Sequence, residues 1–227
     1  MQKTVIIAGY AVLFAALLAC RFSLAPLPVY SMEQIPSARE GYRHTTLTSG
    51  DTVYVNDYEE AALVPVNTEP HQMIGWFLLS GPGRSGLYAI PGQEPSAYVL
   101  EYDPMYQIVY RNANHPPFDW RTATFQKMRL MFITANPKDT EDSSVIENVL
   151  TTLQGQTYFA VPFQPMGNYT GYENYSLLLF TDELPGLMFS VGVHVDPGGQ
   201  VYLAENMVTN RWVQAGTLFT TWMNAPE

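Results

Sequence analysis

Four histidines (His44, His71, His115 and His194) are the side chains best suited to moving protons near neutral pH. No two are close in sequence, and none belongs to a His-Glu-x-x-His pattern, so a zinc-hydrolase site is not indicated. Ser85 could act as a nucleophile only with a histidine and an acid brought in from elsewhere, for example His115 or His194. Its setting, Gly83-Arg84-Ser85-Gly86-Leu87, lacks the glycine spacing of a nucleophile elbow. The overlapping run Gly81-Pro82-Gly83-Arg84-Ser85-Gly86 matches Gly-x-Gly-x-x-Gly. A dinucleotide site also needs a helix to start there, and Leu87–Ile90 reads as strand, so the run is expected to be a loop only. The acidic run Asp57-Tyr58-Glu59-Glu60 has no calcium-loop framework and reads as a solvated turn. Neither a metal nor a cofactor is expected. The chain has 15 tyrosines, and Tyr169, Tyr172 and Tyr175 cluster beside glycines and asparagines. With His194 they form the candidate ligand-binding set, because tyrosine offers rigid amphipathic contact area. The competing reading packs them inward.

The single cysteine, Cys20, stands apart. Met1 to Lys3 carry one positive charge, Val5 to Ala19 carry none, and Leu17-Leu18-Ala19-Cys20 follows. A charged start and an apolar run form the pattern of an export signal. The four-residue run resembles the lipobox of bacterial lipoproteins. That resemblance covers only the first twenty residues. It implies cleavage before Cys20 and acylation of its thiol, anchoring the chain at the outer face of the cytoplasmic membrane or at the outer membrane. Two alternatives stay open. An uncleaved anchor would use Thr4 to Cys20, slightly short of the ~20 residues that span a bilayer. Free secretion would need cleavage after Ala25, where Pro26 disfavours it. All three export the rest of the chain.

Composition sets the outer limits. With 47% hydrophobic residues the 227-residue chain can build a core, which excludes wholesale disorder. Eleven basic against twenty-one acidic residues exclude a nucleic-acid partner, since phosphate binding needs a basic face. One cysteine excludes an intramolecular disulfide framework. Only 14% of residues are charged, against a usual quarter, so the surface must be rich in neutral polar and aromatic groups.

The elements that would position these residues read as follows. Residues 1–19 are the export segment. Residues 20–50, interrupted by Pro26, Pro28 and Pro36, read as a tether with one possible helical turn at Ser31–Gln34. Residues 51–227 read as one β-rich extracytoplasmic domain. Its candidate strands are Thr52–Asp57, Met73–Leu79, Leu87–Ile90, Ala97–Tyr102, Gln107–Arg111, Arg129–Thr134, Thr157–Phe163, Ser176–Phe180, Leu187–Val195 and Gln200–Ala204, with a last one from Trp212 towards Trp222. Leu187, Phe189, Val191, Val193 and Val195 alternate onto one face. Ser190, Gly192 and His194 take the other, where a semi-exposed surface or groove is expected. Asp196-Pro197-Gly198-Gly199 turns this strand into a hairpin, with Gly198 expected at positive φ. Ala97–Tyr102 and Gln107–Arg111 make a second hairpin around Asp103-Pro104. One amphipathic helix is expected at about 144–154, with Ser144 and Glu147 as a capping box, Val145, Ile146, Val149, Leu150 and Leu153 as its apolar stripe, and Gly155 as its stop. Asp139, Glu141 and Asp142 suit its positive end. The expected fold class is α+β, predominantly antiparallel sheet with that single helix. The expected function is a membrane-anchored binding or scaffolding domain, with a small ligand or an envelope protein as partner. An envelope hydrolase and an accessory subunit of a membrane complex are the alternatives.

Overall fold

The computed structural model describes residues 26–36, 43–56, 62–67, 69, 71–79, 83–103, 106–131, 136–155, 157–159, 173–205 and 211–226. Cys20 and the whole of the expected export segment, residues 1–19, lie outside them, as do Tyr169, Tyr172 and the acidic run 57–60. The strands are β1 (Val29–Pro36), β2 (Arg43–Ser49), β3 (Thr52–Val55), β4 (Leu63–Pro65), β5 (Met73–Leu78), β6 (Arg84–Ala89), β7 (Tyr98–Asp103), β8 (Tyr106–Asn112), β9 (Lys127–Met131), β10 (Lys138–Thr140), β11 (Glu173–Phe180), β12 (Leu187–Val195), β13 (Val201–Ala204) and β14 (Val213–Gln214). The helices are α1 (Ser143–Leu153) and α2 (Thr217–Asn224).

The first half of the protein is a closed seven-stranded barrel in the order β1-β2-β3-β8-β7-β6-β5. Every neighbour pair is antiparallel except the one that closes it, where β1 runs parallel to β5 and Val29 and Tyr30 align with Trp76 and Phe77. Period-two alternation sends Tyr30, Leu47, Tyr54, Phe77, Leu87, Val99 and Tyr110 inward, where they pack together. The tether expected over residues 20–50 is therefore corrected: it carries β1 and β2, and Ser31–Gln34 is strand, not a helical turn. The prolines misled the reading. Pro28 precedes β1 and Pro36 is its last residue, end positions where a missing N–H costs little. Few of the β1 side chains are buried, because only Tyr30 points fully into the barrel, so its apolar pattern is weak.

The second half is a sheet in the order β10-β9-β11-β12-β13-β14, with β4 pairing with β12 beside Leu187–Phe189. Met128, Leu130, Leu177, Leu179, Phe189, Val191, Val193, Val201 and Leu203 face α1 and α2 and make the larger core. The hairpin expected at Asp196–Gly199 forms, but Gly199, not Gly198, holds the positive φ (79°). Asp196 Oδ1 accepts from the backbone N–H groups of Gly198 and Gln200 and sets this geometry. The Ala97–Arg111 hairpin also forms, as β7 and β8. Asp142, not Ser144, caps α1: its carboxylate accepts from the Ser144 N–H and hydroxyl. Asp139 serves a different purpose from the one expected. It pairs with Arg129 (2.7 and 2.8 Å) and Lys127 (2.6 Å), and the Arg129 guanidinium holds its carboxyl well below the usual range.

The strand expected from Trp212 to Trp222 is corrected too. Only Val213–Gln214 pair in the sheet, and the chain then turns helical after Gly216. The β-branched and aromatic composition suggested strand, but Phe219, Trp222 and Met223 recur at helical spacing and cover the core beside α1. There are thus two helices among the described residues where one was expected, in an otherwise β-rich fold.

The barrel and the sheet share a third cluster. Tyr98 and Leu100, on the outer face of β7, meet Ile90, Leu184, Leu187 and Leu63. The loop at Pro91-Gly92 lies against the turn at Pro185-Gly186, and Gln93 Nε2 donates to the Pro185 carbonyl (2.8 Å). Gly186 takes φ 81°, and any Cβ there would strike the carbonyl oxygen of Pro91, so this junction requires glycine.

Candidate functional site

Two groups of chemistry-bearing side chains are assembled by the fold. The first lies inside the barrel. β7 alternates so that Val99 and Glu101 point inward while Tyr98 and Leu100 point out. Glu101 is buried (3% exposed), and both its oxygens accept hydrogen bonds: Oε1 from the Ser85 hydroxyl (2.9 Å) and Oε2 from the Tyr110 hydroxyl (2.9 Å). Three neighbouring strands, β6, β7 and β8, supply one group each. Close by, the Tyr30 and Tyr54 rings meet at a tilt of 55° with centroids 5.6 Å apart, and the Tyr54 hydroxyl donates to the Pro95 carbonyl. Burial pushes the Tyr54 phenol up to about 12, so it serves as a neutral donor.

The second group lies on the face of the sheet away from the helices. His194 is 3% exposed there, which corrects the expected semi-exposed groove. Its Nδ1 lies 2.8 Å from Asn174 Oδ1, directly across the β11–β12 ladder. The Trp212 and Tyr202 rings stand 5.6 and 6.3 Å from the imidazole, and Phe159 packs on Tyr202 at 5.6 Å. Burial pushes the imidazole pKa down, with the nearby Asp196 charge opposing that shift, so the ring is held neutral. Nδ1–H then donates to Asn174, and Nε2 is the acceptor nitrogen.

Tyr175 does not join His194. It sits opposite Val193 on the helix-covered face and packs against the larger core, because neighbouring strand residues point to opposite sides. What surrounds His194 instead is Asn174, Tyr202 and Trp212. Tyr202 was recoverable from the alternation that placed Val201 and Leu203 inward. Trp212 was not, since its position depends on the β13–β14 pairing.

The fold does not bring Ser85 to either proposed histidine. Ser85 faces the barrel interior, whereas the His115 ring packs edge-on against Tyr98, on the outer face of β7 (centroids 5.2 Å apart). His194 belongs to the other sheet. Gly81 and Pro82 lie outside the described residues, and β6 begins at Arg84, so the last three residues of the Gly81–Gly86 run are strand where a loop was expected, and no helix starts there as a dinucleotide site would need. Among the described residues no three His, Cys, Asp or Glu side chains converge as a metal site would need, and no helix is long and apolar enough to cross a membrane.

No protein-family model matches the chain, and no curated protein or solved structure matches it.

The neutral state of His194 has a consequence for stability. An imidazole with a folded pKa below its ordinary 6.5 binds its proton more readily when unfolded. Its contribution is complete above that value and is lost as pH falls below it. In urea titrations between about pH 7.5 and pH 5.5, the wild-type midpoint should drop further than that of His194→Gln, which cannot titrate. Equal drops would refute a buried neutral ring.

Proposed function

We propose that this is an exported bacterial protein, acylated on Cys20 and held at a membrane of the cell envelope. Its barrel and sheet act there as a non-catalytic binding or scaffolding unit for a small ligand or an envelope protein. The observation that carries the anchoring is the run Leu17-Leu18-Ala19-Cys20 directly after an uncharged segment, with the only thiol of the chain at its end. Support for binding over catalysis comes from the placement of the reactive side chains. Ser85 and Glu101 hydrogen-bond to each other inside the barrel, and His194 is buried between Asn174 and aromatic rings, so each acts as part of a core. A hydrolase built on Ser85 with His115 or His194 would need them to meet, and they lie on different walls of the molecule. The accessory-subunit reading is compatible with the same anchor.

Mass spectrometry of the native N-terminus is the direct test. A chain that starts at a diacylated Cys20 supports the proposal, and an intact Met1 overturns it in favour of an uncleaved anchor. Cys20→Ser adds a second readout. It should move the protein from the membrane fraction to the soluble or uncleaved precursor pool, whereas an uncleaved anchor would keep the variant in the membrane with an unchanged mature mass.

A further inference from the structure

We infer that the barrel rests on the bilayer through the wall where β1 meets β5, so that the protein is held in one orientation and not freely swivelling on its anchor. This rests on the anchored reading above and adds to it the surface that meets lipid.

The wall is built by strand pairing. Tyr30 and Phe77 face the barrel interior, so Val29 and Trp76, paired one residue earlier, face outward side by side. The Trp76 N–H donates to the Pro28 carbonyl and ties the chain just before β1 to the same wall. Along β5, Leu78 also points out and is 55% exposed, with Leu79 beyond it and Leu27 before β1 exposed as well. On the other side, β6 places Arg84 opposite Leu78, with its guanidinium 4.1 Å from the Trp76 ring centre. Val29, Trp76, Leu78 and Arg84 thus line the outer face of this wall, with the exposed Leu27 leading into it. The nearest acid along β1 is Glu33, four residues past Val29 and about 13 Å along the strand.

The occupant follows from the chain that precedes this wall. Five residues, hence six Cα–Cα steps, separate Cys20 from Pro26, the first described residue. At most ~3.6 Å per residue, they reach roughly 20 Å even fully extended. An acyl chain on Cys20 puts its sulfur at the headgroup level, so the start of β1 must stay within that distance of the bilayer. The surface nearest the attachment point is therefore the one that carries Leu27, Val29, Trp76 and Leu78. Its composition matches an interface: aliphatic groups to enter the acyl boundary, a tryptophan at headgroup depth, and an arginine that suits lipid phosphates. The chain is otherwise strongly acidic, with a net charge of -10, and would be repelled by an anionic membrane over most other faces. A second copy of the chain is the competing occupant, and it does not use the short link to Cys20.

Tryptophan fluorescence tests this on the full-length membrane-bound protein. The probe is a vesicle of phosphatidylethanolamine and phosphatidylglycerol with brominated acyl chains. The four tryptophans are Trp76, Trp120, Trp212 and Trp222; Trp120 and Trp212 are buried, and Trp222 packs on the larger core. Bromolipid should quench an emission component that is missing from Trp76→Phe. The exposed double substitution Val29→Glu with Leu78→Glu should abolish that quenching while leaving the urea midpoint unchanged. No quenching in the wild type, or equal quenching in Trp76→Phe, overturns the proposal. So does a dimer in detergent without quenching, which would assign the wall to a second copy. The N-terminal mass of the same sample separates the two readings. Diacylated Cys20 without Trp76 quenching overturns the orientation alone, and Trp76 quenching with an unmodified Cys20 overturns the acyl anchor alone.

Discussion

Phe189→Ala should cost the protein about 3–5 kcal/mol, enough to bring a domain of ordinary stability close to unfolding. Phe189 is fully buried at the centre of the larger core. Its ring stacks on Trp120 with centroids 5.6 Å apart and planes 10° apart, and Phe125 and Phe118 approach at 6.1 and 6.4 Å. These neighbours come from the segment between β8 and β9, while the Phe189 backbone pairs with Leu63 of β4 and Leu179 of β11. They hold one another and cannot all collapse into the space a phenyl ring leaves. The residual cavity therefore adds to the lost transfer free energy. Phe189→Leu, which refills part of the volume, should cost roughly half as much. Urea unfolding monitored by circular dichroism measures both. A loss below about 1 kcal/mol for Phe189→Ala would mean that the ring cluster is not a shared core.

The second large effect is expected inside the barrel. Glu101→Ala should destabilise by about 3 kcal/mol, because it leaves a hole and removes the acceptor of two buried hydroxyls. The Ser85 and Tyr110 hydroxyls donate to separate oxygens of one carboxyl group, so the three residues act as a unit. The distinctive prediction is non-additivity. Adding Ser85→Ala and Tyr110→Phe to Glu101→Ala should cost less than the three single effects summed, since hydroxyls no longer present need no acceptor. Additive losses would show that each residue is held by something else. The same experiment bears on function. If Ser85 were a nucleophile, Ser85→Ala would abolish a turnover that Tyr110→Phe only altered. As a barrel-core donor, it should change stability and nothing else.

The strands that alternate strongly were legible because one buried face writes a period of two into the chain. β12 and β13 follow directly from Leu187, Phe189, Val191 and Val193 and the turn after them, and α1 follows from its apolar stripe. Where only one or two side chains of an element are buried, the pattern fades. β1 carries little more than Tyr30 and was hidden behind its flanking prolines. In α2, the phenylalanine and tryptophan read as strand formers until the sheet surface beneath them selected the helical spacing. Capping likewise went to Asp142 over Ser144, since both residue types suit the position and only the path of the chain into α1 chooses between them.

The candidate sites divide along the same line. From the sequence alone come the apolar N-terminal run with the single thiol at its end, the acidic and charge-poor composition, and the face of β12 on which His194 lies. These are local or summed properties, carried by neighbouring residues or by the chain as a whole. Closure of the barrel through Val29 and Trp76, the meeting of Glu101 with Ser85 and Tyr110, and the placing of Tyr175 and His194 on opposite sides of one sheet were decided by the tertiary structure. Each depends on the register between strands far apart in the chain. A shift of one residue would turn every one of these side chains to the other face.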